Sequence, residues 1–340
     1  MEVDLHITNN CNLRCQHCVY TSGERYMPTL SYSTVRSLTD EFRKLNVNEV
    51  HITGGEPLLN PELLSIIQFL TRDGFRVKMQ SNGLLINEEK AVELKRAGLK
   101  EILISLDGLE ESHDNLRAYS GSFKSAVSAI RYCLDAEIPV RVNTVVSRRN
   151  CNEIAPLIAY LQRLGVVQHS FFYLTPIGRA EALIDSALSF REWKRVEELI
   201  IGEAGNLNML HRIKVQSVFQ EKPPLGLVQS CRADNCLILS NGDVYHCVLF
   251  SNSQDYRLGN VFSTPLSDIW QTLPDRLSTI VQQRISACSN DCWGGCPGMT
   301  YLLRGRVNTC DPRCEPHFGL YSSCIRQYHK FGEKEHDKEA

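Results

Sequence analysis

From residue 3 to about residue 204 the chain repeats one pattern six times: a short β-rich run, a turn, then a helix-length segment. The β-rich runs are VDLHIT, NEVHIT, FRVKMQS, EILISL, VRVNTVV and HSFFYL. Between them apolar residues recur at spacings of three and four, as in Val35, Leu38, Phe42 and Leu45, which is the period of one helix face. Two further sets, Phe123, Val127, Ile130, Leu134 and Ile154, Leu157, Ile158, Leu161, read the same way. Ser31 and Asn87 suit helix N-caps, and Gly74 and Gly98 suit helix ends. Parallel strands need crossover connections, so six strand–helix units imply a parallel sheet covered by helices. An open doubly wound sheet and a barrel both satisfy this periodicity. In either, chemistry belongs at the C-terminal ends of the strands. There the sequence places Cys11 to Cys18, GGEP (54–57), SNG (81–83) and SLDG (105–108), after the first four strands in turn.

After about residue 205 the regime changes. CLILSNGDVYHCVLF reads as a hairpin, its Asn241-Gly242 matching a tight two-residue turn. Loops dense in Cys, Gly and Pro follow, and these need staples such as cysteine–metal bonds. The division expected is therefore 1–204, 205–330, and a charged, disordered tail over 331–340.

A formal charge of −2 gives no basic field to favour nucleic acid or an anionic membrane. The start, MEVDLHIT, lacks the regions of a signal peptide, and no apolar run approaches 18 residues, so a cytoplasmic location is expected. In a reducing compartment the 14 cysteines point to metal ligation rather than disulfides. Three lie at 11–18 and nine between 231 and 324, while Cys133 and Cys151 read as buried structural residues.

The first group, CNLRCQHC, holds Cys11, Cys15 and Cys18. A structural zinc site takes four protein ligands and is closed. Three thiolates on a [4Fe–4S] cluster leave one iron free for a small molecule. Zinc with a distant fourth Cys or His is the alternative reading.

CNLRCQHC resembles the C-x3-C-x-φ-C signature of radical S-adenosylmethionine (SAM) enzymes, with His17 at the position that lies beside the adenine. Gly54, Gly55, Glu56 and Pro57, one unit later, are similar to the motif that holds the SAM amino group. SLDGLEESHDNLRAYSGSF (105–123) resembles the segment whose Ser and Arg grip the SAM carboxylate, here Ser105 and Arg117. A guanidinium suits a carboxylate because its donors form a planar fork. Asn82, Asp107 and Asn143 are polar residues within reach of the ribose or methionine part. Arg117 lies far in sequence from every candidate metal ligand, so its loss is expected to leave iron content unchanged. The resemblance implies a partial (β/α)6 TIM-type barrel, a SAM-binding [4Fe–4S] cluster, and an external electron donor such as flavodoxin or ferredoxin. It also implies reductive cleavage of SAM to a 5′-deoxyadenosyl radical that removes hydrogen from substrate.

Cys231-x4-Cys236, Gly242-x4-Cys247, LGNV…IW, CWGGC and CDPRC follow in an order that resembles the SPASM extension of these enzymes. That extension binds auxiliary iron–sulfur clusters, here one to two [4Fe–4S]. The resemblance implies one set of ligands from Cys231, Cys236, Cys247 and Cys296, and another from Cys288, Cys292 and Cys314. The second set is one short, because the usual C-x2-C-x5-C run is shortened to Cys288-x3-Cys292, and Cys310 is the nearest replacement. Val248 stands where sulfatase-maturing relatives place an Asp base, which disfavours that oxidation route. Cys324 is a candidate hydrogen-atom donor, with a buried tail cysteine as the plainer reading.

The function expected is radical modification of a peptide or protein residue by crosslinking, epimerisation or oxidation. Modification of a sugar, aminoglycoside or nucleotide is the alternative, followed by a tetrapyrrole substrate and by a non-enzymatic electron carrier. The chain starts at the first strand, without the N-terminal peptide-recognition domain of many peptide-modifying relatives, which weighs on the first reading. GGEP, Ser105 and Arg117 weigh against the carrier, since electron transfer needs no grip on SAM.

Overall fold

The computed structural model describes residues 1–24, 28–215, 235–274 and 296–309. All six expected strands form: β1 (Glu2–His6), β2 (Glu49–Thr53), β3 (Arg76–Ser81), β4 (Glu101–Ser105), β5 (Val140–Val146) and β6 (Gln168–Tyr173). Between them run α1 (Tyr32–Lys44), α2 (Leu63–Arg72), α3 (Glu88–Ala97), α4 (Glu110–Arg117), α5 (Ser122–Asp135) and α6 (Ile154–Leu164), with α7 (Phe190–Asn206) after β6. The caps are those expected. Ser31 Oγ accepts from Thr34 N at 3.2 Å and Asn87 Oδ1 from Lys90 N at 2.8 Å. Gly98 closes α3 at φ 100°, a conformation that costs a residue without Cβ little.

β1 to β6 pair in parallel in sequence order, and β7 (Ile213–Val215) continues beyond β6. A doubly wound sheet reverses order at a switch point. This one never reverses from β1 to β7, so it is wound as a barrel. Among the described residues β7 and the opposite edge do not pair, and the barrel stays partial. The opposite edge is built by β8 (Asn235–Ile238), parallel to β1, then β9 (Asp243–Tyr245) and β10 (Gly259–Asn260). The sheet thus runs past residue 204 on both sides, and residue 204 itself lies inside α7. The cysteine-rich region is also pinned to α1, where Ser267 N and Oγ donate to Glu41 at 2.9 and 2.7 Å. Ser267 lies in α8 (Leu266–Gln271); the last described helix is α9 (Pro297–Arg304).

The hairpin lies where expected, but its turn differs. Leu239 N bonds Asp243 O and Gly242 N bonds Leu239 O, which leaves three residues in the loop. Gly242 alone takes a positive φ, 84°, while Asn241 does not. A two-residue turn of the expected kind needs positive φ at both. The observed form is a type I turn closed by a glycine bulge.

Side chains alternate along each strand, so one face of the sheet is apolar and the other polar. Val3, Leu5, Val50, Ile52, Val77, Met79, Ile102 and Ile104 point outward into one core with Phe42, Ile66, Leu94 and Ile130. Burying each such side chain is worth about 1.5–3 kcal/mol. The inner face carries ions instead. Lys78 Nζ lies 2.9 Å from Glu2 and 2.5 Å from Glu49, Arg76 2.9 Å from Glu49, and Arg141 2.7 Å from Glu101. Asp4 bonds His51 Nδ1 at 2.8 Å and accepts from Asn235 at 3.1 Å. These residues belong to the N-terminal halves of their strands and make a charged floor. The opposite end of the barrel is left for the strand-end residues.

Candidate active site

The loop after β1 is set by the loop after β2. Gly55 N donates to Thr8 O at 2.7 Å and Glu56 N to Asn10 O at 2.8 Å. A Cβ on Gly54 would lie 2.5 Å from Thr8 O, and one on Gly55 2.2 Å from Asn10 O. Only paired glycines let the two backbones approach so closely. GGEP therefore seats the start of the cysteine loop as well as presenting Glu56.

Each of the three sulfurs faces one N–H group. Leu13 N is 3.4 Å from Cys11 Sγ, Ser22 N is 3.5 Å from Cys18 Sγ, and Arg117 Nη1 is 3.7 Å from Cys15 Sγ. Donors aimed at sulfur favour thiolate, the form that binds metal. Burial opposes ionisation: it pushes Cys11 up to about 11, and it raises Cys15 against the pull of Arg117. A bound cation is what would complete their deprotonation. The sulfurs are not gathered within 4.8 Å of one another, a spacing met among the described residues only by Glu2, Asp4 and His51. One tetrahedral zinc ion draws its sulfurs closer than that, because Zn–S is about 2.3 Å. Three thiolates, each on a separate iron of a cluster, need no such close approach.

Glu56 is fully buried at the ends of β2 and β3. Its carboxylate accepts from Ser81 Oγ at 2.9 Å, Asn82 N at 2.9 Å and Leu58 N at 3.3 Å. Burial outweighs these donors and pushes its pKa up to about 7. Asn82 in turn donates through Nδ2 to Asn12 Oδ1, 2.8 Å away in the cysteine loop. Pro57 opens the short 3-10 turn that follows Glu56.

Across the barrel mouth, Asp107 is the hub. Arg117 Nε and Nη2 both lie 2.8 Å from its Oδ2, and His17 Nε2 lies 3.3 Å from the same oxygen. Val145 N donates to Oδ1 at 3.0 Å, and Asp107 N donates to His113 Nδ1 at 3.0 Å. Burial disfavours the charge, yet Arg117, His17 and His113 outweigh it and hold the carboxyl at about 2. His17 is pushed down to about 4 by burial, so at neutral pH it is uncharged, with Nε2 facing Asp107. Its Nδ1 has no partner. Arg117 ends α4, a polar helix that the apolar spacing did not reveal, and its contact with Cys15 ties it to the metal loop. The distance in sequence between Arg117 and the cysteine loop is closed by the fold at that contact.

Ser105 ends β4, and Asn143 stands beside it in mid-β5. Asn143 donates weakly to Gln80 at 3.4 Å, and its Oδ1 has no partner. His6, 1% exposed and tilted against Tyr20 at 4.4 Å, has neither ring nitrogen paired, and Thr53 Oγ1 is unpaired too. Sequence reasoning missed His6 and His113, and held Asn12 and Ser81 only as members of CNLRCQHC and SNG. His6 could have been marked by its place at the end of β1, while His113 lies within α4.

Of the second cysteine set, Cys236, Cys247 and Cys296 are described. Cys236 is fully buried in the outer core with Val3 and Ile238, its thiol raised well above its ordinary value by burial. Cys247 instead packs with Leu237, Leu239 and Phe250, on the other side of β8, and Cys296 against Met299 and Leu303. The structure does not bring Cys236 together with the other two. Cys231, Cys288, Cys292, Cys310, Cys314 and Cys324, and the tail over 331–340, lie outside the described residues.

Comparison with known proteins agrees with this geometry. The Radical SAM superfamily model matches residues 5–161, and the model of SPASM, an iron-sulfur cluster-binding domain, matches residues 231–297. An AdoMet-dependent heme synthase of Nitratidesulfovibrio vulgaris is 27% identical over 91% of this chain and 90% of its own length. Mycofactocin maturase MftC of Mycobacterium ulcerans is 28% identical over 92% of this chain and 87% of its own. The crystal structure of Streptococcus suis SuiB bound to precursor peptide SuiA superposes with a TM-score of 0.76 at 16% identity, over 92% of this chain and 75% of that one. That likeness shows the fold, a partial barrel followed by a smaller cysteine-rich region. By its barrel, its cysteine loop and both family matches, the chain belongs to the radical SAM superfamily and carries a SPASM iron–sulfur domain.

Proposed function

We propose that this enzyme uses SAM, held above the cysteine loop, to remove hydrogen from a residue of a peptide or protein. The observation that carries the substrate class is the inner face of the barrel. His6 and Thr53 present buried polar atoms without partners above a floor of ions. Such groups cost about 1–3 kcal/mol each when left unpaired. An amide-rich substrate supplies donors and acceptors to satisfy them. MftC and SuiB, one a maturase and the other bound to a precursor peptide, support the same class.

When bound, the cluster and SAM supply an electron and a carbon radical able to take hydrogen from an unactivated carbon. The residues of the chain hold and orient. Cys11, Cys15 and Cys18 would ligate the cluster, their sulfurs already faced by N–H groups. Glu56, with Gly54, Gly55 and Pro57 shaping its turn, would accept the SAM ammonium. Ser105 and Arg117 would take the carboxylate, Arg117 sharing its guanidinium with Asp107. The unpaired Nδ1 of His17 is an acceptor for the adenine, while Asn82 and Asn143 would serve the ribose or methionine part. Cys247 and Cys296, with cysteines outside the described residues, would hold auxiliary clusters, and flavodoxin or ferredoxin would deliver the electron.

A second reading, a tetrapyrrole substrate, is favoured by one observation: the 27% identity to a heme synthase over nearly the whole chain. Reduced, reconstituted protein should release 5′-deoxyadenosine from SAM, faster when its substrate is present. Peptides encoded beside the gene should show this acceleration together with a mass change. Acceleration by an iron tetrapyrrole and not by peptide would reverse the order of the two readings.

A further inference from the structure

The segment after β6 carries none of the motif residues, yet it grips the cysteine loop from the far side of the open barrel. Arg179 Nε donates to Cys15 O at 2.8 Å, and its Nη1 donates to Ser22 O at 3.2 Å and pairs with Glu24 at 2.6 Å. Arg179 N donates to Cys18 O at 3.1 Å. The preceding Gly178 has φ 62°, and a Cβ there would lie 2.6 Å from Val19 O and 2.7 Å from Cys18 O. The side chain of Arg179 is only 16% exposed. Arg14 does the corresponding work on the other flank, donating to Cys11 O at 2.8 Å and Gly23 O at 2.8 Å. A loop without helix or strand gives its carbonyls few backbone partners: within the loop Cys15 O and Cys18 O have only turn bonds, from Cys18 N at 3.3 Å and Thr21 N at 3.5 Å, and closer donors must come from elsewhere. Here two guanidinium groups supply them.

We propose that Arg179 is a positioning residue for the SAM-binding cluster. Its fork joins Cys15 to Ser22 and so fixes the arc that carries Cys15 and Cys18, and it brings a fixed positive charge to that arc. The inference rests on the cysteine loop holding a cluster and is independent of which substrate is used. A lysine keeps the charge but cannot span both carbonyls in one plane. Gly178→Ala attacks the same contact from the packing side and leaves the charge in place.

The test uses the full reconstituted chain under anaerobic conditions. It compares wild type, Arg179→Ala, Arg179→Lys and Gly178→Ala, with a Cys11/Cys15/Cys18→Ala protein giving the auxiliary-only baseline. Iron release to a chelator and the midpoint potential of the cluster, followed by electron paramagnetic resonance, are the readouts, with circular dichroism melting as the fold control. Loss of an outer-shell partner costs about 10- to 100-fold in metal affinity. Arg179→Ala should therefore release the non-auxiliary iron about tenfold faster or more, and its potential should fall. Arg179→Lys should release faster than wild type at a near wild-type potential, and Gly178→Ala should do the same. If Arg179→Ala does not fold, the lysine and alanine variants at 179 and 178 carry the test alone. Release and potential unchanged in folded variants would overturn the proposal. So would equal acceleration of auxiliary iron, which marks general loosening. No SAM cleavage by wild type, with faster iron release still seen in the variants, would count against the proposed function and support this inference.

Discussion

Glu56 is a carboxyl buried among neutral donors, and its pKa of about 7 follows from that burial. An ammonium beside it restores the charged form, so SAM binding near neutrality should expel a proton. Affinity should rise from pH 6 to pH 8 in wild type and stay level in Glu56→Gln, measured by calorimetric titration in buffers of different ionisation enthalpy. Stability without SAM should run the other way. A folded pKa raised above the ordinary 4.5 gives stability that is full below 4.5 and lost as pH rises through 7. The loss is on the order of 3 kcal/mol, and denaturant melts at pH 5 and pH 8 should show it in wild type and not in Glu56→Gln. Arg117 is the second test at this scale. Arg117→Ala should weaken SAM binding by about 2–4 kcal/mol, the range for breaking a desolvated charge pair. It should also speed iron loss, because the same guanidinium reaches Cys15. Arg117→Lys should recover part of the binding. The resemblance of segment 105–123 named Arg117, and its place at a strand end named Asp107, each separately. Their pairing was not legible, because nothing in a run of letters shows that α4 turns its last residue back over the strand end.

At the scale of elements, the six strands and most helices were legible because their apolar residues recur at periods of two and 3.6. α4 was not, since EESHDNLR offers few apolar positions and is held by its neighbours. The hairpin was legible and its turn type was not, since Asn-Gly serves both a two-residue turn and the glycine bulge seen here. The alternation along β8 has a chemical consequence. It turns Cys236 into the apolar core and away from the side where Cys247 packs. Cys236→Val should therefore keep its full iron content and its melting temperature. Cys247→Ala should lose up to about four iron atoms per chain, the content of one cubane cluster. Iron and sulfide analysis of both variants checks this. Equal loss in the two would place Cys236 among the ligands after all.

For the whole molecule, the SAM-binding cluster and two auxiliary ones, the second completed by Cys310, would amount to about twelve iron atoms per chain. Removing Cys11, Cys15 and Cys18 together should lower iron by about a third and abolish SAM cleavage while the auxiliary share remains. Chemical iron analysis with a 5′-deoxyadenosine assay reads both. The sequence showed a barrel region and a cysteine-rich region in succession, but long-range strand pairing has no local signature, so it did not show that both share one sheet. That shared sheet matters to the chain as it is being made. β1 leaves the ribosome first, yet its second neighbour, β8, begins only at Asn235. At about 5–20 residues per second, the outer edge of β1 waits unpaired for roughly ten seconds or more. An uncovered strand edge is a template for misassembly with other chains. A nascent chain stalled short of β8 would carry an adhesive edge beside the cysteine loop, so a strand made long after β1 acts as its protection.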